Sequence, residues 1–144
     1  MNDTILDLIY LAHGRLTELE NNPRDYGTGE LLYSSDIHTV VAVALHEGCN
    51  LTELAADLGI SNAAASKFTA KMVRLGYLIK KQRDDNKKEV VFFLDEKGRQ
   101  AALAHTVFER RTFRPLRKLE GKLSISEKKV IIDFLNSIYK ACTW

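Results

Sequence analysis

Cysteine is scarce in this chain: two residues in 144, Cys49 and Cys142. So few, so far apart, make neither a disulfide framework nor a metal-ligand pair, which agrees with a reducing compartment. Long apolar runs are also missing, and none approaches the roughly 20 residues that cross a bilayer. The opening MNDTILDLIYLAHG is acidic where a signal peptide is basic. It reads as mature sequence, so a cytoplasmic protein with no membrane partner is expected. Enzyme signatures are absent as well: there is no G-x-S-x-G, no P-loop, no G-x-G-x-x-G and no catalytically spaced His/Cys/Asp cluster. Gly27-Thr28-Gly29 is only a loop. His46, Glu47 and Cys49 are neighbours, but they straddle a helix end and lack a pair such as His-x-x-x-His, so no metal is expected. No enzyme and no cofactor follow from these residues.

What remains is globular. Apolar residues make up 45% and charged residues 28%, unlike a disordered or collagen-like chain, and the length suits one domain spanning 1–144. Net charge is only +2, yet it is unevenly spread. Between Ser61 and Leu94 stand Lys67, Lys71, Arg74, Lys80, Lys81, Arg83, Lys87 and Lys88, against Asp84, Asp85 and Glu89. Positive charge gathered on an otherwise slightly acidic body is the footprint of a polyanion site, although a solvated basic face gives the same count.

The pattern of apolar residues predicts a mainly helical chain. Ile5, Leu8, Ile9, Ala12, Leu16 and Leu19 return every three or four positions, giving a first helix over Asp3–Glu20 that ends at NNP. RDYGTGE reads as a loop. A second helix follows Ser34-Ser35, with Asp36 in its first turn; it is apolar on most sides, hence central, and Gly48 stops it. Asn50 with Glu53 makes a capping box for a short helix closed by Gly59, and Ser61 caps a longer one running to Gly76. Two helices joined by so short a turn form a helix-turn-helix. In the longer helix Ala65, Phe68, Met72 and Leu75 face inward, while Asn62, Ala63, Ser66, Lys67, Ala70, Lys71 and Arg74 face out. YLIKKQ and EVVFFL then alternate as strands around the polar turn RDDNKK, a hairpin whose tip carries Arg83, Lys87 and Lys88. Asp95 caps another helix, interrupted near Pro115. Ser124 with Glu127 caps the last, striped by Val130, Ile131, Phe134, Leu135, Ile138 and Tyr139.

This order is that of a winged helix-turn-helix lobe, residues 34–98, flanked by helical arms at 1–22 and 99–144: mainly α with a small β-hairpin wing. In such a lobe the second helix lies in the major groove with its first residues at the base edges. Small residues there let the backbone come close. Ala63 suits a thymine methyl, and Ser61, Asn62 and Ser66 suit base edges or nearby phosphates. Lys67, Lys71 and Arg74 suit phosphates on the groove walls, Thr52 another phosphate, and the wing tip reaches sideways along the backbone or into the minor groove.

The stretch ELAADLGISNAAASKFTAKMVRLGYLIKKQRDDNKKEVVFFLDEKGR resembles the DNA-binding lobe of the MarR family of bacterial transcriptional regulators. The family's pattern there is an apolar-LA-x-x-L-x-(Val/Ile)-Ser start, a helix, L-x-x-x-G-(Leu/Tyr)-(Val/Ile), a wing and a restart of helix like L-T-E-K-G. This chain has Leu54-Ala55-x-x-Leu58-x-Ile60-Ser61, Gly76-Tyr77 after the helix, and Leu94-Asp95-Glu96-Lys97-Gly98 after the wing. Two departures stand out. The family often carries Asp-x-Arg near the wing tip, where the acid braces an arginine; here Asn86-Lys87-Lys88 occupies that stretch, leaving Arg83 or Lys88 as substitutes. Asp95 stands where Thr is usual, and both cap helices.

The resemblance implies double-stranded DNA as partner, and arms that interlock as a homodimer through Ile5, Leu8, Ile9 and Leu16 and through Val130, Phe134, Leu135 and Ile138. Packing of some of these within one chain is the plainer alternative. A dimer implies a roughly palindromic operator, with repression the usual outcome. Many relatives also release DNA when a small aromatic or anionic effector enters a cleft; by position, Tyr10, His13, Tyr26, Tyr33 and His38 would line it, though packing or capping explains such residues equally. A peroxide-sensing reading would fall on Cys49. A winged-helix protein-interaction module without specific DNA binding stays open, since fold alone does not entail DNA binding.

Overall fold

The computed structural model describes residues 4–142; Asp3, the expected start of the first helix, lies outside them. Helix α1 (Ile5–Asn21) begins at the N-cap Thr4, whose hydroxyl accepts the Asp7 N–H while Asp7 reaches back to the Thr4 N–H. The segment expected to be a loop instead carries two short antiparallel strands, β1 (Arg24–Asp25) and β2 (Leu31–Leu32), with Arg24 opposite Leu32. Two residues are too few for alternation to show in sequence. The turn between them is closed by Asp25 Oδ1, which accepts the N–H groups of Thr28 (2.9 Å) and Gly29 (3.0 Å).

Helix α2 (Ser34–Leu45) is the buried spine: Ile37, Thr39, Val40 and Val43 are fully enclosed. It ends at the C-cap His46, earlier than the expected stop at Gly48, which instead turns the chain into the next strand with φ of 86°. That strand, β3 (Cys49–Asn50), is an addition to the expected hairpin. It is the outer neighbour of β5 (Val90–Leu94), whose other edge pairs with β4 (Leu78–Gln82), so the wing is three-stranded in the order β3-β5-β4. The hairpin register is continuous from Leu78 opposite Leu94 to Gln82 opposite Val90.

Helices α3 (Leu51–Leu58) and α4 (Asn62–Arg74) form the helix-turn-helix. Both pack on α2, where Leu54 and Met72 meet Ile37, Val40, Tyr77 and Leu94 in one apolar cluster, and Ala65 is also buried. Helix α5 (Glu96–Thr112) starts after Asp95, whose Oδ1 accepts the Glu96 N–H at 2.7 Å. Its first turn presses on the chain leading into β4: a Cβ at Gly98 would stand 2.1 Å from the Tyr77 carbonyl oxygen, so only glycine fits. Tyr77 itself is enclosed, its hydroxyl 2.6 Å from Thr28 Oγ1 and the Lys97 ammonium 4.5 Å from its ring centroid. Lys97 also pairs with Glu30 at 2.9 Å, which holds that carboxyl below its usual range.

The chain divides into two compact units, one ending at Thr106 and one starting at Val107. The second begins with the end of α5, whose break before Pro115 comes as expected. There α6 (Arg114–Glu120) begins with the proline in its first turn, where a missing N–H costs nothing. Helix α7 (Ile125–Ala141) follows Ser124, which forms a complete capping box with Glu127. Neither α1 nor α7 has a buried residue.

Candidate nucleic-acid interface

Every terminus in the helix-turn-helix is fixed by its own sequence. Asn50 Oδ1 accepts the Glu53 N–H at 2.9 Å and Glu53 Oε2 accepts the Asn50 N–H at 2.8 Å. Gly59 takes the left-handed conformation at φ 64°, and the Ile60 N–H returns to the Ala55 carbonyl at 3.0 Å. Ser61 Oγ then accepts the Ala64 N–H, starting α4.

Helix α4 presents two contrasting sides. Inward go Ala65, Thr69 and Met72, with Phe68 half-buried; the Thr69 hydroxyl is spent on the Ala65 carbonyl at 2.9 Å. Outward stand Asn62, Ala63, Ser66, Lys67, Ala70 and Arg74, all exposed, with Ser61 exposed at the cap. The first turn thus offers amide and hydroxyl groups on a surface without bulk, and the later turns offer cations. Thr52 is exposed on α3, where its hydroxyl receives the Asn62 side-chain amide at 3.4 Å. Lys67 and Arg74 take part in no ion pair among the described residues.

Lys71 differs. Its ammonium lies 2.6 Å from Oδ2 of Asp36, a carboxylate only 1% exposed at the start of α2. Residue type and spacing alone place Lys71 with the other outward cations. The acid that engages it is 35 positions away and gives no sign of pairing in the sequence.

At the wing, Lys87 and Lys88 are exposed on the tip. Arg83 is held: its Nε donates to Glu89 Oε2 at 3.0 Å, and Glu89 Oε1 also accepts the Asn50 side-chain amide at 2.5 Å. One carboxylate therefore ties the wing tip to the cap of α3. In the sequence Glu89 is only a charge; its role needs the register that lays β3 beside β5. A basic arc runs from α4 to the wing, and a groove of about 520 Å³ borders it, lined by Tyr33, Ser35, Asp36, Lys67, Phe68, Ala70, Lys71 and Arg74.

The aromatic and histidine residues expected at an effector cleft are spread out. Tyr10 and His13 are exposed along α1, and Tyr33 lines the groove just described. Tyr26 is buried, and its ring and that of His38 lie 5.6 and 5.3 Å from the ring of His105, a buried histidine that no sequence motif singles out. The side chains near Cys49 go separate ways: His46 Nδ1 pairs with Asp57 at 2.9 Å and Glu47 with Arg99 at 2.9 Å. Cys49 is enclosed, and burial pushes its thiol up to about 11, opposite to what a peroxide-reactive thiolate needs. Along the arms, Ile5, Leu8, Leu16, Val130, Phe134 and Leu135 are exposed, and Ile9 and Ile138 half-buried.

A capped helix pair, a small polar and basic outer face and a three-stranded wing define a winged helix-turn-helix protein. Residues 32–90 match the model of the MarR family. It is 27% identical over 104 residues to the HTH-type transcriptional regulator PchR of Bacillus subtilis (strain 168), covering 72% of this chain and 62% of that one. The match spans less than two thirds of each such regulator's length. Among solved structures, the adhesin competence repressor AdcR of Streptococcus pyogenes is similar with a TM-score of 0.77 at 23% identity, over 96% of this chain and 97% of that one. Lactococcus lactis ZitR, in complex with DNA, gives a TM-score of 0.76 at 20% identity, over 98% and 99%. At such identities the likeness establishes the fold. No described helix is long and apolar enough to cross a membrane.

Proposed function

We propose that this chain is a sequence-specific DNA-binding transcriptional regulator of the cytoplasm, acting as a homodimer on a roughly palindromic operator, with repression as its output. The observation that carries the reading is the outer face of α4: Asn62, Ala63 and Ser66 are small and exposed, with the cations Lys67 and Arg74 behind them and Lys87 and Lys88 on the wing. An interaction module would show an apolar or mixed face there, whereas this one suits base edges at its start and phosphates along its length. Arg83, braced by Glu89, supplies the wing's fixed cation. The family's regulators, and a DNA complex of similar fold, support the same partner.

Two copies are proposed because one recognition helix and one wing cover too little DNA for tight binding. The unburied apolar sides of α1 and α7 supply surfaces for such pairing. A small aromatic or anionic molecule is the proposed releasing signal, supported by the groove where Tyr33 and Phe68 stand beside Lys67 and Arg74.

The test is fluorescence anisotropy on the DNA upstream of the protein's own gene, titrated across salt concentrations with scrambled DNA as control. Tight binding with a strong preference for the upstream fragment and a steep fall with salt is expected. Failure to bind any DNA at low salt would favour the protein-interaction module.

A further inference from the structure

We propose that Asp36 is a positioning residue for DNA reading: it holds Lys71 in an ion pair that fixes α4 against α2 and keeps that ammonium off the phosphates. The inference rests on the DNA-binding reading and concerns how the same face is set.

Lys67, Lys71 and Arg74 follow one another at helical spacing, so sequence alone makes them three equivalent phosphate ligands. The structure separates them. Asp36 Oδ2 accepts from the Lys71 ammonium at 2.6 Å and from the Tyr33 N–H at 3.1 Å, and the residue is 1% exposed. A carboxylate so enclosed has little water to fall back on. Moving Lys71 to a phosphate would strand that charge, and leaving a buried charge unpaired costs far more than forgoing one solvent-exposed ion pair. Lys71 is also backed by the Tyr33 ring, whose centroid is 5.9 Å from its ammonium. Lys67 and Arg74 have no such tie among the described residues and remain available.

The pair also supplies direction. Beside the pair, Ile37 and Val40 of α2 and Met72 of α4 lie in one apolar cluster. Apolar packing sets the distance between helices and tolerates small rotations better than a charge-assisted hydrogen bond does. Asp36 lies in the first turn of α2, where its bond to the Tyr33 backbone fixes the carboxylate itself. Lys71 thereby sets the rotation of α4, and with it the direction in which Asn62 and Ser66 point in the preceding turns.

The experiment uses the full chain and measures the slope of log K against log salt, on upstream and on scrambled DNA, for the wild type and four variants. Lys67→Met should make the slope shallower by about 0.9, as expected when one phosphate is no longer neutralised. Lys71→Met should leave it at the wild-type value. Asp36→Asn should free Lys71 and steepen the slope by about 0.9, and Asp36→Asn with Lys71→Met should return it to the wild-type value. Both variants carrying Asp36→Asn should lose preference for the upstream fragment by at least about threefold, because the orienting ion pair is gone. Simple loss of stability would not steepen a salt slope. If Lys71→Met does not fold, comparing Asp36→Asn with the double variant still decides the matter. A shallower slope for Lys71→Met, matching Lys67→Met, or an unchanged slope for Asp36→Asn, would overturn the proposal while leaving DNA binding intact. Absence of salt-dependent binding by the wild type would overturn the DNA reading and this inference together.

Discussion

The helix-turn-helix lobe and the two long helices α1 and α7 both carry apolar residues at helical spacing, yet they meet opposite fates in a single chain. In the lobe, Leu54, Ile37 and Met72 are wholly enclosed, and even the polar Thr39 and Asp36 are buried with partners. On α1, Leu8 is 57% exposed, and on α7 Val130 is 69% exposed. Well-formed capping boxes open both long helices, so local sequence specifies them as firmly as it specifies α3. The difference shows that capping and periodicity fix a helix but not its partner. The lobe carries its complement within residues 26–102; under the two-copy reading, the long helices find theirs in a second chain.

The largest effect should come from the lobe itself. Leu54→Ala is expected to cost about 2–5 kcal/mol of unfolding free energy, the range for emptying a packed site, measured by denaturant titration. Leu11→Ala on α1 sharpens the contrast: under the two-copy reading, its cost should vary with protein concentration. Next comes the assembly. Phe134→Asp combined with Leu135→Asp should convert a two-copy species to one copy in sedimentation while the helical circular dichroism of the lobe persists. DNA affinity should then fall by roughly a hundredfold or more, as linked sites become independent.

A smaller and more local effect belongs to the reading face. Asn62→Ala should cost about 1–3 kcal/mol at one base position and little on scrambled DNA, scored with a panel of single-base operator variants. Equal loss on every sequence would assign Asn62 to the backbone instead. Smallest of all is the expected response of Cys49. With its pKa raised to about 11, its thiol is protonated and buried at neutral pH. A thiol reagent near pH 8 should label exposed Cys142 and spare Cys49, and Cys49 should react only as the pH nears 11 or the lobe unfolds.

Much of this architecture is legible in the chain. Asn50-Glu53, Gly59, Ser61, Gly76 and Ser124-Glu127 are local signals acting within four residues, and each produces the turn or cap expected of it. The hairpin strands are legible because five residues are enough to show alternation. Strands β1, β2 and β3 are not, because two residues show no period. Residue type gives the outward face of α4, which depends on helical geometry alone. It does not give the state of its cations: Lys67, Lys71 and Arg74 look alike until α2 delivers Asp36 to one of them. Glu89 is hidden for the same reason, since the bond from Asn50 depends on strand register across 39 positions. Long-range pairings of charge are properties of the fold, and they decide which cations of a basic patch are free to act.

The most direct test of the account is selection of binding sites from a random pool of double-stranded DNA by the full-length protein at near-physiological salt. The account predicts enrichment of an inverted repeat whose half-sites are about 34 Å apart, one helical turn, the spacing two symmetric recognition helices demand. Enrichment of nothing, or of an unrepeated site bound by a single copy, would contradict it.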